Sequence, residues 1–223
     1  MRGAAFIFMG VTRVWLIRHG QPDEEARQRC YGSLDVGLSD IGRSQMAQVA
    51  EHLRAESIAA IYTSPGSRAV DSARILATVA NCPVEITADF REIDFGDFEG
   101  LTYDEIAGRY PDLYRQWMAK PTEVQFPKGE CFEQMRSRVL RSFHTILNQW
   151  NGQTVAMVSH GGVNRTLLAW ALRMPDDAIF RLAQDHAAMN LIELVDGFPA
   201  VKSMNHTLCR RFDIWPAFDG VVS

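Results

Sequence analysis

Short apolar runs alternate along this chain with longer segments in which apolar residues recur every three or four positions. The short runs are typical of buried strands, because strands of this kind are brief, rich in β-branched residues and bounded by turn residues. They cover residues 14–17, 58–62, 84–86 and 154–158, and two further strands are predicted near 188–195 and 200–204. Asp196-Gly197 lies between the last two and predicts a hairpin turn.

Helices are predicted between these strands from the helical spacing of apolar residues. The first begins at Ser39 or Asp40, a second spans 68–80, a third runs from Thr102 up to Pro111, and the clearest amphipathic stripe spans 132–150. In the first helix the apolar positions predicted to face inward are Ile41, Met46, Ala47, Ala50 and Leu53. A last helix is predicted from the pattern of Leu167, Leu168, Ala171 and Leu172. Helices therefore follow most of the strands.

Strands that alternate with helices and end in a hairpin predict one α/β domain over residues 1–223. The expected architecture is a three-layer sandwich, in which a mixed, mostly parallel sheet carries helices on both faces. Pro121 and Pro127 interrupt the segment 101–130, which we expect to form a cap-like excursion. The polar segment 21–35 shows neither the strand period nor the helix period and is predicted to be a loop over a site.

Two of the predicted strands end in the same kind of turn, a histidine followed by glycine. Arg18-His19-Gly20 follows the first strand, and Ser159-His160-Gly161-Gly162 follows the fourth and opens a helix. Parallel strands would deliver both histidines to one sheet edge. Arg18 and the exposed N–H groups at a helix N-terminus suit an anion, so the pattern indicates phosphate chemistry.

Composition limits where such an anion can bind. The chain has 23 Lys and Arg against 27 Asp and Glu, so it has no overall attraction for nucleic acid or an anionic membrane, and an anion site must be local. With 223 residues and 47% hydrophobic content it can bury a sizeable core. Its apolar stretches fall short of the roughly 20 residues that a membrane span needs.

The four cysteines are scattered, without CxxC spacing: Cys30, Cys82, Cys131 and Cys209. This spacing argues against a zinc site and gives no disulfide framework, so we expect a reduced, cytoplasmic protein. The apolar extension 1–10 is interpreted as an ordered or frayed lead-in, with Met9 as an alternative start; a weak signal peptide is the other interpretation.

Four motifs together resemble the histidine phosphatase superfamily, also called the phosphoglycerate mutase-like family. They are Arg18-His19-Gly20, Thr63-Ser64-Pro65 with Arg68-Ala69, the stretch Arg91-Glu92-Ile93-Asp94-Phe95-Gly96-Asp97-Phe98-Glu99-Gly100, and Ser159-His160-Gly161-Gly162. The resemblance implies a phosphatase that acts on a small phosphate ester through a phosphohistidine, without metal or cofactor. It implies that His19, Glu92 and His160 are catalytic, and that Arg18, Arg68, Gln21 and Gly161 bind phosphate.

Hydrolysis of a phosphate monoester requires the same residue types. A phosphate monoester dianion repels nucleophiles, so guanidinium groups are needed to offset the charge on its oxygens. Attack requires one unprotonated nitrogen on His19, with the opposite N–H held by a backbone carbonyl. An alkoxide leaving group needs a proton, and we expect crowding from Asp94 and bound phosphate to keep one on Glu92.

The sequence departs from the family pattern after Gln21. Pro22 replaces a hydroxyl residue and Glu25 stands where many relatives have asparagine, so we expect Glu25 to point away from the phosphate. The segment 29–35 is similar to that of the α-ribazole phosphatase branch, which nominates α-ribazole phosphate as substrate. In this segment Tyr31 and Ser33 are candidate substrate contacts, with loop packing as an equal alternative for Tyr31.

Other interpretations stay open. The chain could be a cofactor-dependent phosphoglycerate mutase, although relatives of that kind carry a longer insertion and tail, or a catalytically idle phospho-ligand sensor; a homodimer is also open. The carboxylates of Glu92, Asp94, Asp97 and Glu99 could hold a divalent metal, but we favour solvated or capping roles for Asp97 and Glu99. The remaining histidines are predicted to be solvated or structural, with a rim role as the alternative for the last two: His52, His144, His186 and His206.

Overall fold

The computed structural model describes residues 10–26 and 28–208, without the side chain of Glu25. The strands are β1 (Thr12–Arg18), β2 (Ile58–Thr63), β3 (Val84–Ile86), β4 (Thr154–Ser159), β5 (Met189–Val195) and β6 (Phe198–His206). The α-helices are α1 (Asp40–His52), α2 (Ser67–Ala80), α3 (Tyr103–Arg109), α4 (Pro111–Ala119), α5 (Phe132–Gln149) and α6 (Gly161–Leu172). The predictions about the extension before Gly10, Cys209 and the direction of Glu25 fall outside the described residues.

The six strands form one sheet in the order β3-β2-β4-β1-β5-β6. The first four strands in this order are parallel to each other, and β5 and β6 are antiparallel to their neighbours. Asp196 and Gly197 join β5 to β6 with φ angles of 51° and 78°, as a tight hairpin turn requires. The prediction of a mixed, mostly parallel sheet is confirmed.

Side chains alternate across β1 and divide the core into two layers. Val14 and Leu16 join the buried cluster that contains α5 and α6, whereas Trp15 and Ile17 join the cluster that contains α1 and α2. This alternation is the period-2 pattern of a strand that is covered on both faces. The helices thus pack on opposite sides of the sheet, as the three-layer prediction requires.

The segment 101–130 is built partly into the same core. Thr102 caps α3 with a reciprocal capping box, in which its hydroxyl accepts the Glu105 N–H while the Glu105 carboxylate accepts the Thr102 N–H. Ile106, Trp117 and Phe126 are buried in the cluster on the α5 and α6 face. The role of this segment as a cap stays a prediction.

Some local predictions were wrong. Ile41 is 54% exposed and Ala47 is also exposed, because α1 buries the face marked by Met46 and Val49. Pro111 does not simply end a helix: it is the first residue of α4, where a missing N–H costs nothing.

The register of the central strands brings the two His-Gly turns together. Arg18 at the end of β1 lies opposite Ser159 at the end of β4, so the residues that follow them emerge side by side. The backbone N–H of His19 donates to the carbonyl of Ser159 at 3.0 Å and continues the pairing by one residue. None of the described helices is both long and apolar enough to cross a bilayer.

Candidate active site

Two histidines meet at the carboxyl edge of the sheet. The rings of His19 and His160 lie edge to face with centroids 5.2 Å apart, and each residue is 2% exposed. His160 is the N-cap residue of α6, so its ring stands where the helix presents its positive end. The expectation that two distant His-Gly turns converge is confirmed by this geometry.

One nitrogen of His19 is committed to the backbone. Nδ1 lies 2.7 Å from the carbonyl oxygen of Gly20, which accepts only if Nδ1 carries the proton, so Nε2 is left with a lone pair. Burial lowers the pKa of His19 well below 6.5, and the charges of Arg68, His160 and Arg18 lower it further. The ring is therefore neutral at neutral pH, as a nitrogen nucleophile must be.

The ring of His160 is held from the opposite side. Its Nε2 lies 2.7 Å from the hydroxyl oxygen of Ser64, which follows β2. Its buried Nδ1 has no hydrogen-bond partner among the described residues. Burial, then Arg68 and Arg18, lowers the pKa of His160 well below 6.5. Ser64 belongs to a motif that the sequence singled out, but its contact with His160 was not predicted.

Two guanidinium groups flank the histidines. Arg68, near the start of α2, is 1% exposed and donates to the carbonyls of Gly32 at 2.8 Å and Leu34 at 2.9 Å. Arg18 donates from Nη1 to the carbonyl of Gln184 at 2.5 Å. The Nε atoms of both arginines are buried without a hydrogen-bond partner in the described part of the chain. Buried polar groups are normally paired, so these N–H groups are available to an anion.

The polar loop covers this site as predicted. The Arg68 guanidinium lies over the ring of Tyr31 at 5.1 Å, so Tyr31 walls the cationic pocket. Ser33 is exposed, with its hydroxyl 3.4 Å from Asp94. The main chain of Gln21 is bonded to Gln45 and Ser39, and these contacts assign no ligand to its side chain.

Glu99 holds this loop in place. Its carboxylate accepts the backbone N–H groups of Gly32, Ser33 and Leu34 at 2.9 to 3.2 Å, and that of Phe95 at 3.0 Å. The loop carbonyls that receive Arg68 belong to the same residues, so Glu99 acts on the site through the loop. The predicted roles for Glu99 were solvated or capping; its partly buried carboxylate instead binds the backbone N–H groups of the loop, a role the sequence did not indicate.

The carboxylate of the predicted proton donor, Glu92, lies against the first turn of α6. Glu92 Oε2 accepts the N–H of Gly162 at 2.9 Å, and Oε1 accepts that of Ile93 at 3.0 Å. The helix N-terminus expected to bind an anion thus already receives a carboxylate. Asp94 accepts the N–H of Gly96 at 2.9 Å, and its crowding of Glu92 stays a prediction.

The acidic stretch does not gather into a metal site. Asp97 pairs with the exposed Lys128 at 2.9 Å, and the other carboxylates turn to separate backbone groups. Within residues 10–26 and 28–208, no group of three or more His, Cys, Asp or Glu side chains could hold a metal ion. Phe98 is buried and Phe95 packs against the same core below the loop, as predicted.

His186 lies beside His19, so the rim role gains weight over the structural role that the sequence favours. Its ring centroid lies 5.6 Å from that of His19, on the loop before β5. The chain reaches this position because β5 pairs with β1, with Met189 opposite Ile17. Of the others, His52 and His206 pack on each other at 5.6 Å and His144 packs on Trp170, in accordance with structural roles.

A third arginine also approaches the site. Arg165, on α6, donates from Nε to the carbonyl of Leu182 at 2.8 Å, and burial lowers its pKa to about 10. A Cβ added to Gly161 would stand 2.9 Å from Arg165 Nη1 and 3.7 Å from Arg18 Nε. Glycine at 161 therefore leaves room for both guanidinium groups.

Comparison with known proteins agrees with this arrangement. A family model described as the histidine phosphatase superfamily (branch 1) matches residues 14–207. The bifunctional protein Rv2228c of Mycobacterium tuberculosis is 36% identical over 198 residues, which are 88% of this chain and 54% of that protein. This chain therefore spans about half the length of that relative.

Two further comparisons cover most of both partners. A metal-independent phosphoserine phosphatase of Arabidopsis thaliana is 32% identical over 160 residues, which are 70% of this chain and 67% of that protein. Among solved structures, the α-ribazole phosphatase from Shigella flexneri superposes with a TM-score of 0.80 at 26% identity, covering 87% of this chain and 96% of the other.

Proposed function

The chain belongs to the histidine phosphatase superfamily, and from that premise we propose that it hydrolyses a small phosphate monoester through a phosphohistidine, without a metal ion. One observation carries the proposal. The unprotonated Nε2 of His19 lies in a pocket where the Nε atoms of Arg18 and Arg68 and the Nδ1 of His160 have no partner among the described residues. Such a pocket fits a tetrahedral anion with several oxygens to satisfy.

In the first step, the lone pair on His19 Nε2 attacks phosphorus and the ester P–O bond breaks. Arg18, Arg68 and His160 hold the non-bridging oxygens and offset their charge in the loose transition state. Glu92 gives its proton to the departing alkoxide, which leaves as an alcohol. The products of this step are the alcohol, phosphohistidine and the Glu92 carboxylate.

In the second step, the Glu92 carboxylate takes a proton from water, and the oxygen of that water attacks the phosphorus. The P–N bond breaks, and His19 recovers its neutral ring as inorganic phosphate forms. The Gly20 carbonyl retains Nδ1–H throughout, so the same nitrogen serves in each turnover. Glu92 ends the cycle protonated again.

The substrate is proposed only as a class. The Shigella and Arabidopsis proteins act, by name, on α-ribazole phosphate and phosphoserine, and the loop similarity in residues 29–35 favours testing the first. We assign the protein to the cytoplasm on its cysteines, since Cys30, Cys82 and Cys131 are free thiols. A mutase or a sensor on the same fold is the alternative that the following experiment separates.

The test is hydrolysis of p-nitrophenyl phosphate in the presence of a chelator, with His19→Ala as the matched variant. The expected result is turnover by the wild type, none by the variant, and acid-labile phosphate on His19 in quenched wild-type enzyme. Inactive wild type would favour the sensor, and label on another side chain would overturn the mechanism.

A panel of phosphorylated metabolites then addresses the substrate. It includes α-ribazole phosphate, phosphoserine and 3-phosphoglycerate, with release of free phosphate as the measurement. Appearance of an isomer of phosphoglycerate without free phosphate would favour the mutase.

A further inference from the structure

The segment that carries Glu92 is held by a buried ion pair outside the pocket. Arg138, in the middle of α5, and Glu130, just before that helix, lie 2.6 Å apart, and their side chains are 7% and 14% exposed. Burying two charges is costly unless their remaining hydrogen bonds are satisfied. The partners that satisfy them show what this pair is arranged to hold.

Arg138 donates to three successive parts of the catalytic segment. Its Nη1 lies 2.7 Å from the carbonyl oxygens of both Asp89 and Arg91, and its Nη2 lies 3.0 Å from the carbonyl oxygen of Glu92 itself. The planar guanidinium fixes these carbonyls relative to one another, which a lysine ammonium could not do in the same way. The backbone on which the proton donor stands is thus clamped at the donor's own residue.

Glu130 closes the clamp from the other side. Its carboxylate accepts from Arg138 at 2.6 and 2.9 Å, from Arg91 at 2.7 Å and from the N–H of Asp94 at 3.2 Å. The N–H of Glu130 donates to the carbonyl of Asp94 at 2.8 Å. The turn before α5 therefore lies directly against the residues that follow Glu92.

The approach of this turn is close enough to exclude side chains. A Cβ on Gly129 would stand 2.3 Å from the carbonyl oxygen of Asp94, and a Cβ on Gly96 would stand 2.0 Å from that of Pro127. Backbone therefore packs on backbone at this point, which leaves little freedom for the segment. From this fixed backbone the Glu92 side chain extends to α6, where its carboxylate accepts the N–H of Gly162.

We propose that the Arg138–Glu130 pair is a positioning device for the proton donor, which sets the place of the Glu92 carboxyl relative to the leaving-group oxygen. This inference rests on the proposed function. A proton donor must lie within hydrogen-bond reach of the atom it serves, and small displacements are expensive in rate. The hydrogen bonds of Arg138 and the carboxylate of Glu130 go to residues 89–94 and to each other, and Arg138 acts on His160 only through its charge, so loss of the pair should leave the phosphate contacts of Arg18 and Arg68 in place.

The discriminating measurement is the dependence of kcat/KM on the leaving group, because this constant reports the steps up to formation of phosphohistidine. Arg138→Gln should lower kcat/KM for glycerol 2-phosphate by about 100-fold. The same variant should lower it for p-nitrophenyl phosphate by less than about threefold, because a phenolate leaves without a proton.

Arg141→Gln is the matched control. Arg141 lies on the same helix, but it is exposed and contacts the same segment through the carboxylate of Asp89 at 3.2 Å rather than through the carbonyls. Its loss should leave both rate constants within about twofold of the wild type. Equal losses with both esters in Arg138→Gln, or the same profile in Arg141→Gln, would show that the pair only supports folding.

A second pair of measurements decides the matter if Arg138→Gln folds poorly. Glu130→Gln keeps the size of the side chain and removes its charge, and it should give the same leaving-group profile. When either change is added to Glu92→Gln, kcat/KM for glycerol 2-phosphate should fall by less than about a further threefold. The reason is that both changes act through the one carboxyl group that is already lost. Full additivity would overturn the inference.

An amide resonance tests the positioning without any turnover. The Gly162 N–H, which donates to Glu92, should shift in Arg138→Gln in the direction that Glu92→Gln shifts it, and should stay in place in Arg141→Gln. Inactive wild type on both esters would refute the proposed function while this comparison still decides the positioning. An unmoved Gly162 resonance in folded Arg138→Gln would refute the positioning whatever the activity.

Discussion

Glu92 and Gly162 are joined by a hydrogen bond of 2.9 Å between the backbone N–H of Gly162 and Oε2 of Glu92. Gly162 follows His160 by two residues, so the bond ties the expected proton donor to the helix that presents the second histidine. A Cβ at position 162 would stand 2.3 Å from Glu92 Oε1. A side chain at position 162 would therefore compete with the Glu92 carboxylate for the same space.

Gly162→Ala should displace Glu92 and leave the phosphate pocket standing. We expect kcat/KM for an alkyl phosphate to fall by about 100-fold. The measurement is steady-state hydrolysis of glycerol 2-phosphate, with circular dichroism to verify the fold. The control is Gly108→Ala in α3, where a Cβ meets no atom within 4 Å. That change should raise the free energy of unfolding by about 0.5–1 kcal/mol and leave activity alone.

Glu92→Gln tests the proton donor directly. Glutamine keeps a hydrogen-bond acceptor for Gly162 but has no proton to give, so kcat/KM for an alkyl ester should fall by about 100-fold or more. A phenolic ester should be affected much less at this stage. Because the same carboxyl activates water, phosphohistidine should accumulate in the variant and appear as a burst of p-nitrophenol. A similar loss with both esters and no burst would contradict the assignment.

Ser64→Ala removes the hydroxyl that lies 2.7 Å from His160 Nε2. The ring of His160 then loses the hydrogen bond that orients it, and kcat should fall roughly tenfold, the equivalent of one hydrogen bond. Single-turnover phosphorylation of His19 is the measurement. Thr78→Ala, which removes an exposed hydroxyl bonded within α2, is the control and should have no effect. Equal rates in Ser64→Ala and wild type would exclude a positioning role for this serine.

Glu99→Gln should loosen the loop that receives Arg68. Losing half of a charge-assisted set of backbone hydrogen bonds should raise KM by about tenfold, with a smaller change in kcat. Asp97→Asn is the control two residues away, because its exposed pair with Lys128 should contribute little. Progress curves with p-nitrophenyl phosphate measure both constants. If the two variants behave alike, the loop does not depend on Glu99.

Protein stability should fall in mild acid. The pKa values of His19 and His160 are lowered in the folded state, so below pH 6.5 the unfolded chain binds protons that the folded chain does not. Stability is then fully present above pH 6.5 and is lost as pH falls toward the lowered folded values. Thermal unfolding between about pH 5 and pH 8 should show this slope, and His160→Gln should reduce it. A flat wild-type profile would contradict the buried neutral rings.

Much of the fold could be predicted because its signals are local. The apolar run before Arg18 and the similar run before Ser159 end in glycine turns, and both are strands in the structure. The capping residue Ser39 and the hairpin at Asp196-Gly197 were recognised in the same way. Helix ends were harder, since Ile41 fits the helical period but lies at the start of α1, where the helix leaves the core.

Only part of the site could be predicted from the sequence. The convergence of His19 and His160 follows from parallel pairing, which the element order implies. His186 could not be assigned in the same way, because its place beside His19 depends on which strand the hairpin joins. The acidic stretch shows the same limit: Asp97 and Glu99 are chemically alike and two residues apart, yet one faces an exposed lysine and the other holds the loop.

The order of strands and helices, the two His-Gly ends and the residue types that phosphate chemistry needs could all be identified from the sequence, because periodicity and turn chemistry act over a few neighbouring residues. Which of these groups touch depends on the packing of the folded chain. Gly20 orients the His19 ring, Ser64 holds His160, and Arg138 clamps the backbone of Glu92. Contacts between residues far apart in the chain depend on how layers pack and where carbonyls are left to accept, and no local pattern records that.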